Sequence, residues 1–119
     1  MLKGTCHCGA VAFELPRVPE TLTDCNCSIC RRLGTLWAYY PEDEVRFTAG
    51  GGTTETYAWG DRDLAFHRCH TCGCTTHWQG LRPERENRMG VNARLLDPQV
   101  IAGIRVRHLD GADTWKFLD

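Results

Sequence analysis

Apolar residues along the chain recur mainly at a spacing of two, in short runs that glycine and proline close off. The run AVAFEL (10–15) alternates Val11, Phe13 and Leu15 with small or polar positions and stops at Pro16 and Pro19. LWAYY (36–40) is aromatic and stops at Pro41, and EVRFT (44–48) leads into Gly50, Gly51 and Gly52. TTETYAW (53–59) and LAFHR (64–68) flank Gly60-Asp61, which predicts a hairpin turn. Further strands are expected over 75–78, 88–96 and 104–109. Helical signals are few: Ser28 is placed to cap a short turn through Leu33 that ends at Gly34, and residues 97–103 predict another turn. The pattern is that of a mainly β protein whose strands are too short to stand without help.

The chain has 119 residues, which predicts one domain over 1–119. That length can bury roughly two-thirds of the unfolded surface, enough for a core. No run approaches the roughly 18 apolar residues of a membrane span, and the N-terminus lacks a signal-like apolar stretch. A soluble, cytoplasmic protein without a membrane partner is expected. Fourteen basic residues against fifteen acidic ones give a net charge of −1, which argues against a nucleic-acid partner. PEDE (41–44) reads as a solvated turn, and LRPERENR (81–88), with its acids interspersed, as a surface loop.

Eight cysteines change the picture. In a reducing compartment such a content points to metal ligation or catalysis rather than disulfides. The thiols fall into a CxC (Cys6, Cys8), a CxCxxC (Cys25, Cys27, Cys30) and a CxxCG (Cys69, Cys72), with Cys74 following. If the CxC lies on a strand, both of its side chains share one face. In the CxxCG, Gly73 permits a tight knuckle. Spacing alone allows two partitions. One joins Cys27 and Cys30 to Cys69 and Cys72 and leaves Cys6, Cys8, Cys25 and Cys74 for a second ion. The other closes a four-thiolate site from Cys6, Cys8, Cys69 and Cys72 and leaves the triplet to hold a second ion itself. The second is preferred, because the triplet is too compact to serve two distant metals.

The stretches GTCHCGAVAFEL (4–15), CNCSICRRLG (25–34), YAWGDRDLAFHRCHTCG (57–73) and GVNARLLD (90–97) resemble the glutathione-dependent formaldehyde-activating enzyme family, which shares its domain with the centromere protein V group. The resemblance implies a zinc-bound β-tent fold of small antiparallel sheets. It also implies a structural zinc on Cys6, Cys8, Cys69 and Cys72, and a reactive zinc on Cys25, Cys27 and Cys30. The activity it implies is that of a carbon–sulfur lyase, joining a thiol such as glutathione to formaldehyde or a related small aldehyde, or the reverse.

Three thiolates with a vacant fourth position suit a thiol substrate, since zinc takes sulfur readily. A free thiol of pKa about 8.5 is only roughly 3% ionised at pH 7, so conversion to thiolate is worth about 2 kcal/mol in population. Three ligands hold zinc less firmly than four, so partial filling of the second site is expected. Arg31, Arg32 and Asn26 are candidate contacts for the substrate. Trp37, Tyr39 and Tyr40 are candidates for a pocket wall or for core. Cys74 is expected to be a buried free thiol, and His7, His67, His70 and His77 are minor candidates as ligands. The competing function is a non-catalytic module with two structural zincs that serves a protein partner. A third is metal or redox sensing through the labile triplet and Cys74.

Overall fold

The computed structural model describes residues 1–84 and 86–119 and is mainly β. The strands are β1 (Leu2–Thr5), β2 (Ala12–Leu15), β3 (Thr21–Cys25), β4 (Trp37–Pro41), β5 (Arg46–Ala49), β6 (Glu55–Tyr57), β7 (Leu64–Arg68), β8 (Thr75–Gly80), β9 (Arg88–Asn92) and β10 (Arg105–Leu109). Two single-turn helices interrupt them, α1 (Cys30–Leu33) and α2 (Pro98–Ile101). A small sheet has the order β1-β2-β5, and a larger one the order β10-β3-β4-β9-β8-β7-β6. Pairing is antiparallel except between β10 and β3. Among the described residues no helix is long and apolar enough to cross a membrane.

Local chemistry explains the elements. In β2 the alternation sends Phe13 and Leu15 inward, each almost fully buried. Each such side chain contributes about 1.5–3 kcal/mol by burial. β4 splits its faces by the same period of two. Ala38 and Tyr40 enter the main core with Leu22, Met89 and Val91, whereas Trp37 packs on the opposite side with Cys25, Cys30, Phe66 and Trp78. β9 is central and covered on both faces, so four consecutive residues, Met89–Asn92, are buried without alternation. Edge strand β6 (Glu-Thr-Tyr) is exposed throughout, and its polar residues blunt the edge.

Several expectations are corrected. β1 and β3 carry too little alternation to be read from the sequence. The strand expected over 88–96 ends at Asn92, whose side chain accepts a hydrogen bond from the Arg94 backbone and turns the chain into a 3-10 helix. The β6–β7 connection spans residues 58–63 rather than a two-residue turn. Ser28 is not the cap of α1: the N-cap is Ile29, without a side-chain bond, while Gly34 ends the helix as expected at φ +68°. Cys6 and Cys8 lie in the turn after β1, not on a strand, so the turn and not strand phase brings them together. Asp97 caps α2 by accepting from the Gln99 backbone, with Pro98 in the first turn. PEDE forms an exposed 3-10 turn, Glu42–Glu44, after the last residue of β4. Within 81–88, Arg85 lies outside the described residues, and Leu81–Glu84 are exposed.

Candidate metal centres and the aromatic cleft

All eight cysteines are free thiols, and seven of them converge as two groups. The sulfurs of Cys6, Cys8, Cys69 and Cys72 lie within 4.8 Å of one another, and so do those of Cys25, Cys27 and Cys30. The mixed partition, Cys27 and Cys30 with Cys69 and Cys72, does not occur.

In the first group, Cys6 Sγ is 3.7 Å from Cys8 Sγ, which is 3.6 Å from Cys69 Sγ. A tetrahedral zinc at about 2.3 Å from each sulfur requires sulfurs about 3.8 Å apart. Backbone amides point at the sulfurs: Val11 N–H donates to Cys6 at 3.3 Å and Thr71 N–H to Cys69 at 3.4 Å. Backbone N–H groups of Cys74 and Cys8 bring the Cys72 thiol down to about 5. Amides aimed at sulfur stabilise thiolates, so this donor set fits a zinc ion. Cys74 lies beside the group without belonging to it. It is half-buried rather than fully buried, and its thiol is pushed up by burial and by the neighbouring Cys72 sulfur, despite an opposing backbone hydrogen bond from His7.

The second group sits where β3 runs into α1. Cys25 closes β3, Cys27 lies in the turn, and Cys30 begins the helix. Cys30 N–H donates to Cys27 Sγ at 3.4 Å, and the buried Trp37 Nε1–H donates to Cys30 Sγ at 3.3 Å. The Cys25 thiol is pushed down to about 6, first by a hydrogen bond from Cys30 and then by the backbone N–H groups of Cys27 and Gly111. Cys30 is pushed up correspondingly, by that same bond to Cys25 and by burial. Among the described residues no carboxylate, imidazole or further thiol completes this group. These three thiols also fit a zinc ion, through three protein ligands.

Of the histidine candidates, His67, His70 and His77 are engaged elsewhere. His70 pairs with Glu55, His67 Nδ1 meets Thr54 Oγ1 at 2.7 Å, and His77 bonds Thr76 and stacks on His67 with ring centroids 4.1 Å apart. Neither metal group includes a histidine among the described residues.

The triplet opens into a cleft of about 950 Å³. Its floor is one face of the large sheet, where a register row runs Tyr39–Gly90–Trp78–Phe66 across β4, β9, β8 and β7. Gly90 is required there: a Cβ would fall 2.0 Å from Trp78 Nε1. With no side chain between them, the rings of Tyr39 and Trp78 approach to 5.9 Å. The Tyr39 hydroxyl is pushed up to about 12, chiefly by burial, and bonds Thr23. All four tryptophans of the chain, Trp37, Trp59, Trp78 and Trp115, line this one cleft.

Of the predicted substrate contacts, Arg31 lines the cleft, while Arg32 does not and donates to the Ser28 carbonyl at 2.8 Å. Asn26 lines it too, but its amide is committed: Nδ2 donates to Asp110 Oδ1 at 3.0 Å and Oδ1 accepts from Ala112 N–H at 2.9 Å. Asn26 thus ties the segment after β10 over the triplet. Gly111 in that segment is so close that a Cβ would meet Cys25 Sγ at 2.6 Å. Neither Gly111 nor Trp115 was foreseen from the sequence; only their separation from the triplet by more than eighty residues hid them.

Comparison with known proteins agrees with this architecture. The family model described as glutathione-dependent formaldehyde-activating enzyme matches residues 1–107. A crystal structure of a Rhodobacter sphaeroides protein, a structural genomics target, is 34% identical with a TM-score of 0.72, and the match covers 88% of this chain and 99% of that one. The chain belongs to the glutathione-dependent formaldehyde-activating enzyme family.

Proposed function

We propose that the protein is a carbon–sulfur lyase of the family's type, joining a thiol to formaldehyde or a related small aldehyde at the Cys25, Cys27, Cys30 centre, or reversing that step. The observation that carries this reading is a group of three cysteines, not four, in the wall of a solvent-open cleft. A zinc ion on these three thiols supplies a Lewis-acidic position that takes sulfur and favours its thiolate form. The four-cysteine group, by contrast, is a closed structural site, and the unit that carries both is a single domain spanning the chain.

The chain's own groups then do the following. Trp37 Nε1–H and the amides of Cys27, Cys30 and Gly111 hold the cysteine sulfurs in place and offset their charge. The cleft positions the substrate sulfur against the carbonyl carbon, which is the larger part of the acceleration. As the carbon–sulfur bond forms, the carbonyl electron pair moves to oxygen and the proton lost from sulfur ends there. Tyr39, whose hydroxyl burial keeps protonated and which bonds Thr23, lines the cleft as a neutral wall. Arg31 donates to a substrate carboxylate where one is present.

The test is exchange NMR on mixtures of formaldehyde with each of a panel of thiols, glutathione included, with and without the zinc-loaded protein. Catalysed exchange that falls about 100-fold or more in Cys27→Ser, with the fold retained, is the expected result. Exchange no faster than background with glutathione, and with a panel of other thiols, would sink the reading in favour of a zinc module serving a protein partner.

A further inference from the structure

The walls of the cleft bear on which thiol enters it. Trp37, Tyr39, Phe66 and Trp78 line it on the sheet face, and Trp59 and Trp115 add exposed rings, Trp115 beside Gly111 and so close to the triplet. Their exposure rises from 1% at Trp37 and 5% at Trp78 to 46% at Trp59 and 68% at Trp115. A ligand with its sulfur at the cysteines therefore meets an aromatic wall, whose accessible rings are Trp115 beside the triplet and Trp59.

The polar groups of the cleft are largely committed to the protein. Arg88 pairs with Glu86 at 3.1 Å and lies over the Tyr39 ring at 4.6 Å. Asp63 takes Arg82 at 3.5 Å, and Asn26 is held by Asp110 and Ala112. Asp61 adds negative charge. Among the described residues that leaves Arg31 as the cation of the wall without an ion-pair partner. A peptide thiol such as glutathione brings two carboxylates, an ammonium and two amides. One arginine can meet one carboxylate; the remaining polar groups would lose water against indole and phenyl rings without replacement partners.

The outer wall is particular to this segment of chain. Residues 108–119 fold back as a hairpin, with an Leu109–Phe117 bridge and Leu118 N–H donating to the His108 carbonyl at 2.8 Å. The family match ends at residue 107, so Trp115 and Gly111 lie beyond it. Trp115 adopts φ +60°, a conformation rarely taken by a bulky residue. It is held there by its N–H to the Asp110 carbonyl at 2.8 Å, and the indole stays exposed beside Gly111.

We propose that the thiol taken by this cleft is small and aromatic-bodied, neutral or singly charged, with Trp115 as the wall that selects it. The inference rests on the lyase reading for its chemistry and replaces glutathione with a different class of thiol. The stoichiometry is unchanged: one carbon–sulfur bond forms, the carbonyl π bond breaks, and the sulfur's proton passes to oxygen.

Because every tryptophan lines the cleft, intrinsic fluorescence reports its occupancy. Zinc-loaded protein is titrated with 2-phenylethanethiol and, separately, with glutathione. The aromatic thiol is expected to bind at least about ten-fold more tightly. In Trp115→Ala its affinity should fall about three- to ten-fold, as loss of one aromatic contact predicts, with glutathione unaffected. Trp115→Phe should restore most of the loss, which separates stacking from a general disturbance of the hairpin. Equal or tighter binding of glutathione, or an aromatic affinity indifferent to Trp115→Ala, overturns the proposal. Preferential binding of 2-phenylethanethiol with no catalysed exchange for any thiol keeps this inference and removes the lyase reading. Catalysed exchange with glutathione preferred does the reverse.

Discussion

Trp37 serves two structures with one side chain. Its ring is 1% exposed and packs with Phe66 and Trp78, and its Nε1–H reaches Cys30 Sγ at 3.3 Å. A buried sulfur that carries negative charge needs such a donor, because charge-assisted bonds are worth roughly twice a neutral one. Trp37→Phe keeps most of the ring and removes the donor. We expect zinc at the triplet to bind about ten-fold more weakly, the usual scale for losing a partner of a metal ligand. The four-cysteine site should be unchanged, and the fold should lose about 1–2 kcal/mol from the smaller ring and the lost bond. Competition with a chromophoric chelator separates the two metals, and urea unfolding measures the stability. Equal loss of zinc from both sites would contradict this role. The tryptophan itself was legible as an aromatic in a strand. Its bond to Cys30 was not, because the strand's phase relative to α1 depends on where β3 pairs with β4.

The last hairpin shows which elements a sequence reveals and which it conceals. β2 announces itself by alternation, β4 by an aromatic run that stops at Pro41, and α2 only as a turn over 97–103. β1 (LKGT) and β3 (TLTDC) are recruited by pairing, with Gly4 lying beneath the Phe13 ring. The turn after β10 has no hydrophobic pattern, and its value lies in contacts made eighty residues back. What holds it is polar: His108 N–H donates to Asp119 Oδ1 at 2.8 Å, and His108 Nδ1 meets Asp119 Oδ2 at 2.6 Å. Asp119 raises the imidazole's pKa, and Asp24 adds a weaker push; Asp119 itself is lowered, first by the His108 backbone N–H and then by the imidazole. The raised histidine stabilises the folded hairpin fully below its unfolded pKa of about 6.5, and that contribution is lost as pH rises through the folded value. The lowered aspartate contributes above its unfolded value of about 3.9, and its share is lost as pH falls through the folded one. The clamp is therefore strongest between roughly pH 4 and 6.5. Exchange of the Leu118 amide should be slowest in that window and faster above it, after correction for intrinsic rates. Asp119→Asn should return His108 toward its ordinary pKa in an NMR titration and flatten the upper limb. A His108 pKa unmoved by Asp119→Asn would refute the clamp.

At the scale of the whole molecule, the two cysteine groups carry different mechanical roles. Cys6 and Cys8 follow β1 of the small sheet, and Cys69 and Cys72 lie between β7 and β8 of the large one. A zinc ion on the first group would therefore tie the two sheets together across 61 residues of sequence, measured from Cys8 to Cys69. The triplet joins β3 only to the turn that follows it. Spacing alone left two partitions open; the compactness of the triplet favoured this one, and the family resemblance implied it. Its consequence for stability is asymmetric. Structural zinc contributes on the order of 10 kcal/mol in small domains, comparable to the whole net stability of a chain this size. Stripping zinc from the sheet-joining site should thus abolish cooperative unfolding, whereas emptying the triplet should leave most of the fold intact. Chelator added in steps is expected to release zinc in two phases, a fast one from the triplet with little change in far-ultraviolet circular dichroism, and a slow one coincident with loss of β signal. Cys69→Ser should remove the slow phase and leave no cooperative thermal transition. Cys27→Ser should remove only the fast phase and shift Tm by a few degrees. A single phase, with both variants equally unfolded, would mean that the triplet is as much a part of the scaffold as the four-cysteine site, and would remove the distinction on which a reactive centre depends.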